Sequence, residues 1–299
     1  MYRLINLAII VISLTISACN PTKDSSGKIK IVTTTGMIAD AVNNIVGDKA
    51  EVTALMGPGV DPHLYKAAQG DLKLLQEADV IIYNGLHLEG KMTDIFEKLA
   101  RIKPVYAISS EINQNKLRQA SEQDAVDPHI WFDVQLWSTG VSNLNKWLIK
   151  TLPDLHLVKS TYPAELIKLN TEVENLIHTI PEEQRVLITA HDAFGYFGDA
   201  YHIEVKGLQG ISTVAQAGLR DVNELVNIIV ERKIKAVFIE SSVPKKQIDV
   251  VIETCREKGH HLVMGGTLYS DAMGAPNTPE GTYIGMVRHN VTTIVNALK

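Results

Sequence analysis

Short β-branched runs alternate with longer amphipathic stretches along most of this 299-residue chain. That alternation admits few folds beyond layered α/β architectures. In the first half the pattern predicts strands at Ile29–Thr34, Glu51–Leu55, Val80–Tyr83 and Val105–Ile108, separated by helices at Ile38–Val46, Ala67–Ala78 and Met92–Leu99. The second half repeats this grammar. Strands are expected at Arg185–Thr189, Ile203–Lys206, Ala236–Ile239 and His261–Met264, with helices near Val222–Arg232 and Lys245–Lys258.

Between the halves, Leu166, Leu169, Val173, Leu176, Ile177 and Ile180 recur at three- and four-residue steps, with Glu165, Lys168, Glu172 and Glu174 on other faces. This is the stripe of an amphipathic helix. Pro163 sits near its start, where a missing N–H costs little, and Pro181 marks its end. The fold class is therefore α/β with two lobes. Each lobe is expected to hold a mostly parallel sheet flanked by helices, with one long helix joining the two. A hydrophobic share of 45% and a charged share of 21% fit two globular lobes of about 100–150 residues each.

The first residues read as an export signal: Arg3, an apolar run from Leu4 to Ile16, then Ser17-Ala18-Cys19. The run is too short to cross a bilayer as a mature helix. Ile16-Ser17-Ala18-Cys19 resembles the bacterial lipobox, which implies cleavage before Cys19 and lipid attachment to it. The expected organisation is a signal peptide (1–18), a lipidated tether (19–28), a first α/β lobe (29–155), a linking helix (156–181) and a second α/β lobe (182–299). The other cysteine, Cys255, has no partner if Cys19 carries lipid, and reads as a small core residue. A formal net charge of −5 offers no basic face for phosphate backbones, so nucleic acid is not an expected partner.

Asp-Pro-His occurs twice, as Asp61-Pro62-His63 and Asp127-Pro128-His129. Proline fixes its own φ and pushes the preceding residue out of the helical region, so the imidazole that follows emerges in a defined direction. The aspartates can begin Asx-turns or accept from the ring; turn formation is the commoner role of Asp before Pro. Two further polar groups follow apolar runs: His191 directly after Thr189, and Asp271 after the Gly265-Gly266 pair. In open parallel sheets ligands bind beyond the carboxyl ends of the strands, where these residues fall. Three imidazoles and a carboxylate suit Zn²⁺, accept Mn²⁺ or Fe²⁺, and disfavour the harder Ca²⁺ and Mg²⁺. No His-Glu-x-x-His segment and no Gly-x-Ser-x-Gly elbow is present to mark a hydrolase.

With both Asp-Pro-His motifs, Thr189-Ala190-His191-Asp192-Ala193-Phe194-Gly195-Tyr196-Phe197, Gly207-Leu208-Gln209-Gly210-Ile211-Ser212-Thr213 and Leu268-Tyr269-Ser270-Asp271 in order, the chain resembles the TroA-like metal receptors of bacterial ABC importers. The resemblance implies a Zn²⁺ or Mn²⁺ ion carried between two lobes by His63, His129, His191 and Asp271, with no organic cofactor. It also implies a membrane permease as partner, a monomer, no enzymatic activity, and a place in the periplasm or on the outer face of the cytoplasmic membrane. Manganese specialists in that family often carry glutamate at the third position, so His191 tilts the choice toward zinc. Many zinc receptors carry a His-rich acidic loop, whereas Glu111–Val126 here contains no histidine. That departure leaves room for a receptor of both ions. The alternatives are an exported zinc-dependent hydrolase and a surface adhesion lipoprotein with a structural metal.

Overall fold

The computed structural model describes residues 27–119 and 126–299, so the expected signal peptide, Cys19 and most of the tether lie outside the described residues. Four strands build the first half: β1 (Ile29–Thr33), β2 (Ala50–Ala54), β3 (Val80–Tyr83) and β4 (Val105–Ala107). They form one parallel sheet in the order β2-β1-β3-β4. Helices α1 (Gly36–Val46), α2 (Gln69–Glu77) and α3 (Thr93–Leu99) make the connections. Chain direction across the sheet reverses between β1 and β3, so a crevice opens at their carboxyl ends.

The second half contains β5 (Val186–His191), β6 (Glu204–Gln209), β7 (Ala236–Glu240) and β8 (Val263–Leu268). They pair in parallel as β5-β6 and β7-β8, and β5 lies beside β7. Helices α6 (Gly195–Tyr201), α7 (Leu219–Glu231), α8 (Lys246–Glu257) and α9 (Tyr283–Leu298) complete this half. Cys255 is a buried residue of α8. Parallel sheets flanked by helices are the architecture that the alternation predicts.

Two helices stand between the sheets: α4 (Val134–Thr151), the longer, and α5 (Tyr162–Ile177). The amphipathic stripe buries Leu166, Leu169, Val173 and Ile177 of α5, a rod of about 24 Å. It packs against α1 and α4 on one side and α6 and α9 on the other. One hydrophobic cluster runs without a break from Ile31 and Met37 through Trp137 and Leu166 to Phe238 and Ile294. Close-packed apolar contact of this kind is bistable rather than continuously deformable, so the two halves are held as a stiff pair. Among the described residues no helix is long and apolar enough to cross a membrane.

Several boundaries differ from the sequence reading for identifiable reasons. β5 runs on to His191, because Ala190 and His191 stay extended and His191 pairs with Gln209. β8 starts later than expected and continues through Gly265-Gly266 to Leu268, with a register shift against β7 that leaves Gly265 unpaired. A Cβ on Gly265 would sit 2.7 Å from the Phe238 ring, and one on Gly266, at φ +142, would sit 2.5 Å from the Thr293 methyl. The glycine pair is thus a place where β7 and α9 crowd a strand, not the strand's end.

A four-residue convergence at the strand ends

His63, His129, His191 and Asp271 are all buried, and one ligand atom from each lies within 4.8 Å of every other. Each reaches that point by a different local device.

His63 follows β2 through the turn Gly57-Pro58-Gly59, where Gly59 takes φ +73. Asp61 Oδ1 accepts from the His63 backbone N–H at 2.8 Å, the Asx-turn expected of Asp before Pro. His129 leaves a similar turn, with Asp127 Oδ1 accepting from its backbone N–H at 3.0 Å. Here the aspartate also takes the second role, since the same oxygen lies 2.7 Å from the His129 Nδ1. Asp133 then caps α4 by accepting from Leu136 N–H. A short 3-10 turn, Ile130–Phe132, lies between His129 and α4.

His191 is the last residue of β5, fixed by Glu240 at the end of β7. One Glu240 oxygen accepts from the His191 backbone N–H at 2.9 Å, and the other lies 2.5 Å from its Nδ1. Gly207 on β6 lets the chain leaving His191 pass close by, because any Cβ there would meet the backbone of Asp192 at 2.4 Å. Asp271 follows β8. Its loop is clamped by Asn290 on α9, which donates to Tyr269 O and accepts from Tyr269 N–H, and by Trp131, whose Nε1 donates to Ser270 O at 3.0 Å.

With Nδ1 of His129 and His191 turned to carboxylates, the Nε2 atoms face inward. His129 Nε2 is 3.4 Å from Asp271 Oδ1, His191 Nε2 is 3.3 Å from Asp271 Oδ2, and His63 Nε2 is 3.3 Å from His129 Nε2. Donors on a tetrahedral ion with bonds of about 2.1 Å are about 3.4 Å apart, so three of the separations already match that geometry. His63 to Asp271 is looser, at 3.9 Å. Both Asp271 oxygens are buried without a hydrogen bond of good geometry, the condition a bound cation relieves.

The electrostatics support the same picture. Burial, together with the neighbouring His129 and His191 rings, pushes His63 down to about 3 against the pull of Asp271. Burial also opposes charge on His129, but Asp127 and Asp271 outweigh it and raise that ring to about 9. The same contest, won by Glu240 and Asp271, raises His191 well above the ordinary imidazole value. Burial disfavours the Asp271 charge, yet the two cationic rings hold its carboxyl well below the usual range. Without an ion, the surroundings of His129 and His191 therefore favour protons on both rings.

Three supporting residues escaped the sequence reading. Glu240 could have been found as a carboxylate closing the apolar run Ala236–Ile239. Glu89 is buried, accepting from Thr34 Oγ1 at 2.6 Å and from Asn84 N–H at 2.8 Å. Asn84 in turn donates to Pro128 O at 3.0 Å, fixing the His129 loop in the β1/β3 crevice. Arg118 lies 3.4 Å from Asp127 and 3.3 Å from Asp199 on α6, tying the first half to the second above His129. No local pattern marks Glu89 or Arg118, since Thr34 and Asp199, which they reach across the fold, are distant in sequence.

Comparison with known proteins places this arrangement. Residues 31–297 match the family described as zinc-uptake complex component A, periplasmic. The chain is 50% identical over 285 residues to the manganese-binding lipoprotein MntA of Bacillus subtilis, covering 92% of this chain and 93% of that one. It is 49% identical over 278 residues to the zinc-binding protein TroA of Treponema pallidum, covering 92% and 90%. The solved structure of the periplasmic zinc-binding protein TroA from Treponema pallidum superposes with a TM-score of 0.87 at 48% identity, over 91% of this chain and 99% of that one. A family profile spanning nearly the whole described chain, and relatives at half identity, show that this protein belongs to the ZnuA family of periplasmic zinc-uptake components, the TroA-like metal receptors.

Proposed function

We propose that this protein is an extracytoplasmic receptor that captures Zn²⁺ or Mn²⁺ with His63, His129, His191 and Asp271 and hands the ion to the permease of an ABC importer. The observation that carries the reading is the convergence of three Nε2 atoms on an Asp271 carboxylate that is buried and lacks good hydrogen-bond donors. Relatives with half the sequence in common are named for manganese in one case and zinc in the other, which suits a donor set acceptable to both ions. Four protein donors close the coordination shell and leave no open position for a reactive water, so the reading is carriage rather than catalysis. Lipid attachment at Cys19, release from a signal peptide ending at Ala18, and a monomer delivering its cargo at the membrane surface complete the proposal.

The test is titration of metal-free protein with Zn²⁺ and, separately, Mn²⁺. One ion per chain is expected, with uptake abolished in Asp271→Ala and in His191→Ala. Full uptake by both variants would overturn the reading.

A further inference from the structure

The four groups are not held alike. Asp127–Phe132, Val186–His191 and Ser270–Gly274 are buried segments, so three of the four sit on chain with no exposed residue beside them, apart from the half-buried Asp192 after His191. The His63 loop is different: Gly57, Pro58 and Gly59 before it and Leu64 after it are exposed. The anchors differ too. Around His129 the two halves are joined by several bonds: Tyr196 donates to Asp127 O at 3.0 Å, Trp131 Nε1 to Ser270 O at 3.0 Å, and Tyr283 to Trp131 O at 2.7 Å. His129, His191 and Asp271 thus move as one body.

Across the cleft from His63 the side-chain connection is far thinner. Thr213, in the loop after β6, donates from its hydroxyl to Asp61 Oδ2 at 2.5 Å. Asp61 Oδ1 meanwhile holds the His63 backbone N–H. One carboxylate therefore ties the His63 turn to the opposite half with one oxygen and shapes that turn with the other. Between Gly210 and Gly218, Thr213 alone is buried; its neighbours Ser212, Val214, Ala215 and Gln216 are exposed. An exposed loop that buries a single threonine on a charged acceptor is fastened at that point. In addition His63 has the longest contact to Asp271, 3.9 Å, and among the described residues no carboxylate lies against its Nδ1 as Asp127 and Glu240 lie against those of the others.

We propose that the Thr213–Asp61 hydrogen bond is the latch of the metal site: Thr213 is a positioning residue that keeps His63 on the ion, and breaking this bond lets His63 swing away first and opens the path by which the ion leaves. This rests on the metal-receptor reading above and adds the order of events. Release then needs movement of one surface loop, with the stiff pair of halves left in place. A partner that competes for the Thr213 hydroxyl or pulls on its loop would trigger it.

The experiment is stopped-flow release of zinc from the full chain into excess chelator, for wild type, Thr213→Val, Thr213→Ser and Asp61→Asn. Valine keeps the shape of threonine and removes the donor. A hydrogen bond to a charged acceptor is worth enough that Thr213→Val should release zinc roughly tenfold faster or more. Thr213→Ser should stay within about twofold of wild type, since it retains the donor. Asp61→Asn keeps an oxygen for the His63 N–H and puts an amide nitrogen in place of the charged acceptor of Thr213, so it should also release faster, which guards against a valine variant that folds poorly. Circular dichroism of metal-free Thr213→Val and Thr213→Ser should match wild type, which shows that both variants fold. Release at the wild-type rate from Thr213→Val and Asp61→Asn, or equal acceleration by serine and valine, would overturn the latch. A wild-type chain that takes up no zinc would overturn the receptor reading itself, before any variant is compared.

Discussion

Glu240 grips His191 with both oxygens, one on the backbone N–H at 2.9 Å and one against Nδ1 at 2.5 Å. The residues are 49 apart in sequence, yet adjacent strand ends make them a unit. A carboxylate on the far nitrogen fixes the ring's direction and raises its basicity toward an ion. Glu240→Gln keeps the backbone contact and loses the charge. Zinc affinity measured by chelator competition should fall about 10–100-fold, with the fold intact by circular dichroism.

Metal and protons compete for the same nitrogens. His129 is raised to about 9 and His191 lies well above its ordinary value, so both rings are protonated in the metal-free protein near neutrality. Calorimetry at about pH 7.5 in buffers of different ionisation enthalpy should show release of about two protons per zinc ion. Apparent affinity should fall roughly 100-fold for each unit of acidification between about pH 8 and about pH 6.

The metal-free protein should also show a stability optimum. His63 is depressed to about 3, so from about pH 6.5 downward the unfolded chain binds a proton that the folded chain refuses, and stability is lost. His129 is raised to about 9, so from about pH 6.5 upward the folded chain holds a proton that the unfolded chain has released, and stability again falls. Thermal melts in chelator should peak near about pH 6.5. With zinc bound the alkaline decline should disappear, because the ion replaces the proton.

Asn290 clamps both backbone groups of Tyr269, two residues before Asp271. Asn290→Leu fills the space and leaves that N–H and C=O without partners. Each buried orphan costs about 1–3 kcal/mol, so denaturant unfolding should show a clear loss. Zinc binding should weaken as well, since the Asp271 loop loses its anchor.

Legibility in the sequence followed chemistry that acts locally. Val80–Tyr83 reads correctly to the residue because a buried parallel strand is a continuous apolar run. The Asp-Pro-His motifs fix their own turns, so His63 and His129 announce themselves. The α5 stripe was equally clear. What failed depended on distant neighbours: Gly265-Gly266 reads as a break until Phe238 and Thr293 are seen against it. α4 carries a weaker signal than α5, because Ser138, Thr139, Gly140, Ser142 and Asn143 are weak helix formers. Glu89 and Arg118 carry no signal, because their roles exist only once the fold brings Thr34 to one and Asp199 to the other.

Zinc should outcompete manganese at this site, since nitrogen-rich donor sets follow the order in which Mn²⁺ binds most weakly. Competition with both ions at equal concentration, read by elemental analysis of the desalted protein, should return zinc. Equal loading would point to a shell richer in oxygen than three imidazoles allow.

The central claim is that His63, His129, His191 and Asp271 share one ion. Anomalous diffraction at the zinc edge from a zinc-loaded crystal tests it most directly. The account predicts a single strong peak about 2.0–2.2 Å from the three Nε2 atoms and from an Asp271 oxygen. A peak elsewhere, or one that leaves any of these four residues out of reach, would contradict it.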